Sequence, residues 1–264
     1  MMIETDGAAL HVSEHGAAYR TLVFLHYWGG SGRTWTDVAT TLGGQSRCLM
    51  PDLPGWGQSG PSRRGYRIAD LAESVSGMID AYQLCDVVLV GHSMGGKIAQ
   101  YLAGQRPAWL KELVLVASSP ALPMDIPESQ RLAMQSAYDS RASVEETLDN
   151  VLTETPLAGM IRERAIADSL AGDPAAKAAW PAAAMLEDIS ETTQCINVPT
   201  LLLTGECDRV DPPAVLADRL VPFLPTPEIQ ELAGVGHLLP LEAPKEVAGH
   251  IQRWLDELDN RVRR

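Results

Sequence analysis

The feature that most constrains the fold is a set of short strands with no polar face. Val87–Val90 is apolar at every position, and Leu113–Val116 and Thr200–Leu203 repeat this pattern later in the chain. A strand of this kind is buried on both sides, which is typical of a parallel sheet covered by helices. Between the strands, residues 67–84 place apolar side chains at steps of three and four, as an amphipathic helix does. The sequence therefore predicts an α/β fold with a mostly parallel sheet flanked by helices.

The remaining elements continue this alternation until one long interruption. Further strands are predicted at Met2–Glu4, Ala8–Glu14, Thr21–Leu25, Arg47–Met50 and Glu228–Leu232, and further helices at Trp35–Leu42, 95–105, Pro213–Leu220 and Pro244–Leu258. From Ser119 to about Ile196 only helical patterns occur, and prolines separate them. We therefore expect a core made of residues 1–118 and 197–264, interrupted by a helical insertion at 119–196 that forms a cap.

Charge and composition exclude several classes of function. The 264 residues include 34 Asp and Glu against 21 Lys and Arg, a formal net charge of −13. Phosphate affinity comes from clustered basic side chains, so this balance argues against nucleic acid or an anionic membrane as a partner. Residues 119–196 alone hold 13 acidic and five basic residues. If this segment covers an active-site entrance, it should repel anionic substrates and favour neutral ones.

Other sequence signals indicate a cytoplasmic protein without a cofactor. No apolar run approaches the ~20 residues that span a bilayer, and the N-terminal residues do not resemble a signal peptide. The four cysteines form no C-x-x-C pair. We expect reduced, mostly buried thiols and no bound metal. The sequence does not indicate an oligomeric state.

The strongest chemical signal is Gly91-His92-Ser93-Met94-Gly95, a G-x-S-x-G motif. It follows the buried strand Val87–Val90 and opens the helix that starts near Gly95. In such a tight strand-to-helix turn, glycines remove the clashes that flanking side chains would make, and the central serine is presented at the carboxyl edge of the sheet. Ser93 is therefore the candidate nucleophile.

A serine nucleophile needs a base that is held by a third group. His237 and His250 are the histidines that follow Ser93. His250 lies within the closing helix pattern, whereas His237 lies in a glycine-rich loop after the strand Glu228–Leu232. For the acid, the loop after Thr200–Leu203 offers Asp208 as the first choice and Asp211 as the alternative. Asp211 precedes two prolines and also suits the cap of the following helix.

Taken together, these residues resemble the α/β-hydrolase family, in particular its small, cap-bearing bacterial esterase and haloperoxidase-like branch. The landmarks are Leu25–Ser31, Asp52–Ser59, Gly91–Gly96, Gly205–Asp208 and Gly236-His237. The resemblance implies a triad of Ser93, Asp208 and His237, and an oxyanion hole made by the backbone N–H groups of Met94 and Trp28. Tyr27 stands where the family usually has glycine, which leaves open whether Tyr27 or Trp28 supplies the second amide. The Tyr27 side chain either shapes the acyl pocket, lends its hydroxyl to the oxyanion region, or packs beneath the cap.

The function expected from the resemblance is hydrolysis of neutral, small-to-medium carboxylic esters through an acyl-enzyme. Lactonase, enol-lactonase and perhydrolase activities use the same triad and remain alternatives. Esterase activity on acyl-carrier-protein esters and a non-catalytic ligand receptor are further alternatives. For the substrate pocket the candidates are Tyr27, Met124, Trp180 and Leu238, with methionine suited to an adaptable apolar site. The expected partner is a small-molecule ester.

Overall fold

The computed structural model describes residues 1–157 and 159–262, and an eight-stranded sheet forms its centre. The strands are β1 Met2–Glu4, β2 Ala9–His15, β3 Arg20–Leu25, β4 Ser46–Pro51, β5 Val87–His92, β6 Leu110–Val116, β7 Thr200–Gly205 and β8 Glu228–Leu232. Their order across the sheet is β1-β2-β4-β3-β5-β6-β7-β8. β1 and β2 form an antiparallel hairpin, β2 pairs antiparallel with β4, and all later pairings are parallel. The predicted mostly parallel α/β sheet is confirmed.

Helices cover both faces of this sheet. They are α1 Thr36–Leu42, α2 Ile68–Ala81, α3 Met94–Gly104, α4 Glu128–Met134, α5 Arg141–Thr147, α6 Gly159–Ala171, α7 Pro174–Ala182, α8 Ser190–Thr193, α9 Pro213–Arg219, α10 Leu239–Glu242 and α11 Pro244–Val262. Short turns of 3-10 helix lie at Gly32–Trp35, Ala184–Leu186 and Val221–Phe223, and a π-helical turn lies at Leu148–Leu152.

The core has two apolar layers because successive side chains of a strand point to opposite faces. In β3, Leu22 and Phe24 join the layer that contains α1 and α11, whereas Val23 and Leu25 join the layer that contains α2 and α3. Every residue of β5 and β7 is buried. This double burial explains why these strands read as continuous apolar runs.

The segment 119–196, which we call the cap segment, runs between β6 and β7. Its described residues contain α4 to α8 and no strand. Its buried side chains belong to the same apolar cluster as those of α2 and α3, so the segment packs against that layer of the core. These elements agree with the expected helical insertion. The expected boundary between this insertion and the core stays a prediction.

Parallel strands bring their carboxyl ends to one edge of the sheet. The turn after β5, the loop after β7 and the loop after β8 therefore meet there, and they carry Ser93, Asp208 and His237. One composition-based expectation was wrong. Cys48 is buried, but Cys85 and Cys195 are exposed, so the thiols are free without being mostly buried.

Candidate active site

Ser93 occupies a strained turn between β5 and α3. Its φ of 54° and ψ of −117° lie in a region that residues with a side chain rarely adopt. A Cβ at Gly91 would come within 2.4 Å of the Gly95 carbonyl oxygen, and one at Gly95 within 2.5 Å of the Leu25 oxygen. Only glycine fits these two positions, as the motif predicts. The turn leaves Ser93 6% exposed at the start of α3.

His237 and Asp208 complete a continuous hydrogen-bonded chain with Ser93. His237 Nε2 lies 2.9 Å from Ser93 Oγ, and His237 Nδ1 lies 2.8 Å from Asp208 Oδ2. The other oxygen of Asp208 accepts the backbone N–H groups of Val210 and Asp211 at 2.8 and 2.9 Å. The acid is thus fixed by its own loop, and all three side chains are buried.

The protonation pattern follows from these contacts. A carboxylate only accepts, so His237 Nδ1–H donates to Asp208, and Nε2 is left to accept the Ser93 hydroxyl proton. Burial by itself lowers the pKa of His237, but the negative charge and hydrogen bond of Asp208 outweigh it and raise the pKa. Burial conversely raises the pKa of Asp208, and the contact with His237 and the two backbone N–H groups bring it below its usual value. The pair stabilises an imidazolium next to the serine.

Asp211, the alternative acid, is placed differently. Its Oδ2 accepts from Ser119 Oγ at 3.4 Å, and its Oδ1 has no partner among the described residues. The helix-capping interpretation is wrong, because Pro212 is the N-cap of α9 and no side chain caps that helix. Burial and the neighbouring Asp208 raise the pKa of Asp211 to about 7. Asp211 is a buried carboxyl beside the His237–Asp208 pair, without a hydrogen bond to His237.

One candidate oxyanion donor, Met94, directly follows Ser93, and the other, Trp28, lies in the loop after β3, the strand next to β5. Among the described contacts, neither Met94 N–H nor Trp28 N–H donates to a protein acceptor. The carbonyl oxygen of Tyr27 is 2.7 Å from His26 Nδ1 and accepts Gly30 N–H at 3.0 Å. Because a trans peptide points its N–H opposite to its C=O, the Trp28 N–H faces away from these partners.

The same reasoning applies to Tyr27 N–H. A Cβ at Gly95 would come within 2.7 Å of the carbonyl oxygen of His26. That oxygen therefore faces the start of α3, and the Tyr27 N–H of the same peptide points away from it. The backbone orientation favours Trp28 over Tyr27 as the second donor.

The Tyr27 side chain is 2% exposed and packs between the sheet and the cap segment. Its ring lies 5.3 Å from the ring of His92, and a Cβ at Gly30 would come within 2.6 Å of it. Burial and the nearby Asp168 carboxylate of α6 raise its pKa, so the phenol stays protonated. These contacts favour the packing interpretation of Tyr27 over a part in the acyl pocket.

A small apolar cavity lies beside Met94. Its lining residues are Trp56, Tyr66, Leu71, Met94, Ala176, Ala179, Trp180 and Ala184. Its volume is about 10 Å³, roughly the space that one water molecule needs. Of the four pocket candidates, the structure places Trp180 on this cavity, whereas Met124 and Leu238 are buried within the adjoining apolar layer. The assignment of these residues to a substrate pocket stays a prediction.

Contacts from the cap segment to the loop after β3 were not foreseen from the sequence. The Tyr138 hydroxyl donates to the Trp28 carbonyl oxygen at 2.9 Å, and Ser169 Oγ donates to that of Gly29 at 2.9 Å. Asp168 accepts from Ser31 Oγ at 2.8 Å and pairs with Arg33. These partners are more than a hundred residues apart in sequence, and no local pattern signals such contacts.

Two further properties concern the described residues as a whole. Within residues 1–157 and 159–262, no His, Cys, Asp and Glu side chains cluster in threes as a metal ion would require. In the same residues, no helix combines the length and apolar character needed to cross a membrane.

Comparison with known proteins places this geometry in a family. The sequence model of the Alpha/beta hydrolase family matches residues 22–250. A hydrolase of Bacillus subtilis, YugF, described as uncharacterized, is 31% identical over 246 residues, with 89% of this chain and 90% of the relative covered. The chain belongs to the α/β-hydrolase family, as the sequence resemblance predicted.

Two other proteins are similar to this chain, one in sequence and one in structure. A pimeloyl-[acyl-carrier protein] methyl ester esterase of Neisseria meningitidis is 30% identical over 205 residues, covering 74% of this chain and 78% of that protein. The solved structure of an esterase from Exiguobacterium antarcticum superposes with a TM-score of 0.88 over 97% of this chain and 98% of the other, at 19% identity. Both of these similar proteins are described as esterases.

Proposed function

We propose that the protein is a serine hydrolase that cleaves neutral, small-to-medium carboxylic esters through an acyl-enzyme. The observation that carries this proposal is the unbroken hydrogen-bonded chain from Ser93 Oγ through His237 to Asp208. In that chain Nε2 of His237 accepts from the Ser93 hydroxyl, and the Asp208 carboxylate accepts from Nδ1–H on the other side of the ring. This is the arrangement that nucleophilic acyl transfer requires.

The proposed reaction has two acyl-transfer steps. His237 Nε2 takes the proton of Ser93 as Oγ attacks the ester carbonyl carbon, and the oxyanion accepts hydrogen bonds from the N–H groups of Met94 and Trp28. The imidazolium, stabilised by Asp208, then protonates the leaving alcohol oxygen, and the acyl group stays on Ser93. A water molecule, deprotonated by His237, attacks the acyl-enzyme and releases the acid.

The cavity beside Met94 and the charge of the cap segment support this substrate class. The cavity beside Met94 is lined by aromatic and aliphatic side chains, with no charged group among them. The cap segment carries a net charge of −8 from its 13 acidic and five basic residues. An apolar acyl site under an acidic cover favours neutral esters over anionic ones. It also disfavours an acidic carrier protein as the partner, despite the similarity to a carrier-protein methyl ester esterase.

We interpret the cap segment, residues 119–196, as a lid over the active site carried by a core of residues 1–118 and 197–264. The contacts of Tyr138 and Ser169 with the loop after β3 support this interpretation. The cavity beside Met94 holds only about 10 Å³, so an acyl chain would fit there only after cap side chains such as Trp180 move. Hydrolysis of lactones and enol-lactones, and formation of peracids, would use the same groups. The test therefore includes product analysis with the substrates of these reactions.

The direct test is hydrolysis of short p-nitrophenyl esters by the native protein and Ser93→Ala. We expect the variant to keep its thermal midpoint and to lose turnover to the level of the uncatalysed reaction. A fluorophosphonate should label Ser93 in the native protein only, as mass spectrometry would show. Undiminished turnover by Ser93→Ala would contradict the proposal. A single product burst followed by a stalled adduct would instead favour a ligand receptor.

The acid is tested separately with a matched pair. Asp208→Asn should lose about 10⁴-fold in kcat, because the histidine tautomer is no longer held. Asp211→Asn removes a carboxyl from the same loop without touching His237, and should stay within about tenfold of the native value. The reverse order of losses would reassign the acid.

A further inference from the structure

His92, the first of the two variable residues of the G-x-S-x-G motif, contacts the main chain of the candidate base. It is the last residue of β5 and is 0% exposed. Its Nε2 lies 2.8 Å from the carbonyl oxygen of His237. The two imidazole rings are 5.3 Å apart, and the rings of Tyr27 and Trp35 lie at 5.3 and 6.1 Å from that of His92.

The hydrogen bond determines the tautomer of His92. A carbonyl oxygen only accepts, so Nε2 carries the proton and Nδ1 is the bare nitrogen. Nδ1 is buried and has no partner among the described residues, which is consistent with a ring that never gains a second proton. Burial, followed by the nearby charge of His237, lowers the pKa of His92 to about 3. Asp208 and His26 are the other titratable groups that face it.

The backbone of His237 is held on its other side by the cap segment. The His237 N–H donates to the Leu152 carbonyl oxygen at 3.0 Å, and the N–H of Leu238 donates to the same oxygen at 3.1 Å. The residue thus has its N–H fixed by the cap segment and its C=O fixed by the strand that carries the nucleophile. With both main-chain groups held, the imidazole has little freedom except rotation of its own side chain.

We propose that His92 is a positioning residue that fixes His237 by donating a hydrogen bond to its carbonyl oxygen. This role rests on the proposed function of His237 as general base. A base that shifts by about 1 Å can cost 10²-fold in rate, so a bond that sets its position should appear in kcat more than in KM. His92 itself exchanges no proton with the substrate.

Three substitutions separate the hydrogen bond from the packing. Gln places an amide N–H three bonds beyond Cβ, where imidazole Nε2 stands, whereas Asn places it where Nδ1 stands. Leu fills a similar space with no donor. We expect His92→Leu and His92→Asn to lose about 10²-fold in kcat with KM within about threefold, and His92→Gln to lose less than about tenfold. Trp35→Phe is the packing control, since it changes a neighbour of the ring and leaves the donor in place.

A second measurement begins with the native protein, where the result does not depend on how a variant folds. In the native protein labelled with ¹⁵N-histidine, His92 should give the spectrum of a neutral ring protonated at Nε2, unchanged between about pH 5 and pH 9. Titration of His92 in this range, or protonation at Nδ1, would overturn the proposal. The downfield proton of the His237–Asp208 hydrogen bond should broaden in His92→Leu and stay sharp in Trp35→Phe.

The outcomes also distinguish the two proposals. If Ser93→Ala abolishes turnover and His92→Leu folds with unchanged kcat, the function stands and the positioning role fails. Equal losses in His92→Gln and His92→Leu would likewise contradict a role for the donor. Retained turnover in Ser93→Ala would refute the function, and the spectrum of His92 would still report on its hydrogen bond.

Discussion

Replacing Asp211 by Asn should stabilise the protein, and more so as the pH rises. Asp211 is 1% exposed, and its Oδ1 has no partner among the described residues. Burial and the neighbouring Asp208 raise its pKa from 3.8 to about 7. The native state therefore binds this proton more tightly than the unfolded chain does. Between these two values the folded state loses stability as the pH rises, and the full penalty is present above the folded pKa.

The magnitude follows from the two pKa values. At 1.36 kcal/mol for each pKa unit, a rise from 3.8 to about 7 corresponds to about 4 kcal/mol of native-state penalty at high pH. Part of that penalty is already present at pH 5. Between about pH 5 and pH 8.5, the difference in free energy of unfolding between Asp211→Asn and the native protein should therefore widen by about 3 kcal/mol. Asn keeps the shape of the side chain and carries no charge at any pH.

The assay is urea unfolding of both proteins across this pH range, followed by tryptophan fluorescence and circular dichroism. Asp218→Asn is the matched control, because Asp218 is an exposed carboxylate of α9, seven residues along the chain. The difference in free energy of unfolding between this control and the native protein should stay constant with pH. Parallel stability curves for Asp211→Asn and the native protein, or a variant that is less stable at pH 8.5, would refute the reasoning.

Three other predictions follow from the site and from the turn that carries Ser93. The rate constant kcat/KM should rise with pH through an apparent pKa above 6.5, because the charge of Asp208 raises the pKa of the proposed base His237. A midpoint below 6.5 in a stopped-flow pH profile would contradict this prediction. Trp180→Ala should enlarge the cavity beside Met94 and shift the optimum of an ester series toward longer acyl chains; an unchanged optimum would exclude Trp180 from the acyl site. Gly95→Ala should cost about 3 kcal/mol or more of stability in thermal unfolding, because its Cβ would lie 2.5 Å from the Leu25 carbonyl oxygen.

The sequence predicted the parts of the molecule that depend on local patterns. The predicted β8 has the bounds of the observed strand, and the predicted helix over 67–84 is observed as Ile68–Ala81. Strands buried on both faces carry an unambiguous apolar signal, and the G-x-S-x-G motif has a strict glycine requirement. Because parallel strands end at one edge of the sheet, these elements suffice to bring Ser93, Asp208 and His237 together.

What the sequence did not predict depends on contacts between distant segments. Nothing near Tyr138 indicates that its hydroxyl donates to the Trp28 carbonyl oxygen, 110 positions away. His92 lies inside a motif whose pattern permits any residue at that position, so only its fold neighbour, the His237 carbonyl oxygen, reveals a possible role. The sequence did contain one relevant signal, a histidine at a position buried on both sides. A titratable side chain at such a position is unfavourable unless it makes a specific contact.

The cap segment contacts each loop of the candidate site through the main chain. Tyr138 holds the Trp28 carbonyl oxygen, Leu152 accepts the His237 N–H, and the Thr153 carbonyl oxygen accepts from Arg209 next to the acid. Main-chain bonds of this kind set the positions of the proposed oxyanion donor and base, not only access to them. If the cap segment moves to admit substrate, as proposed, that movement would also loosen the groups proposed to react with it. Productive geometry would then return as the cap closes, which couples substrate enclosure to assembly of the site.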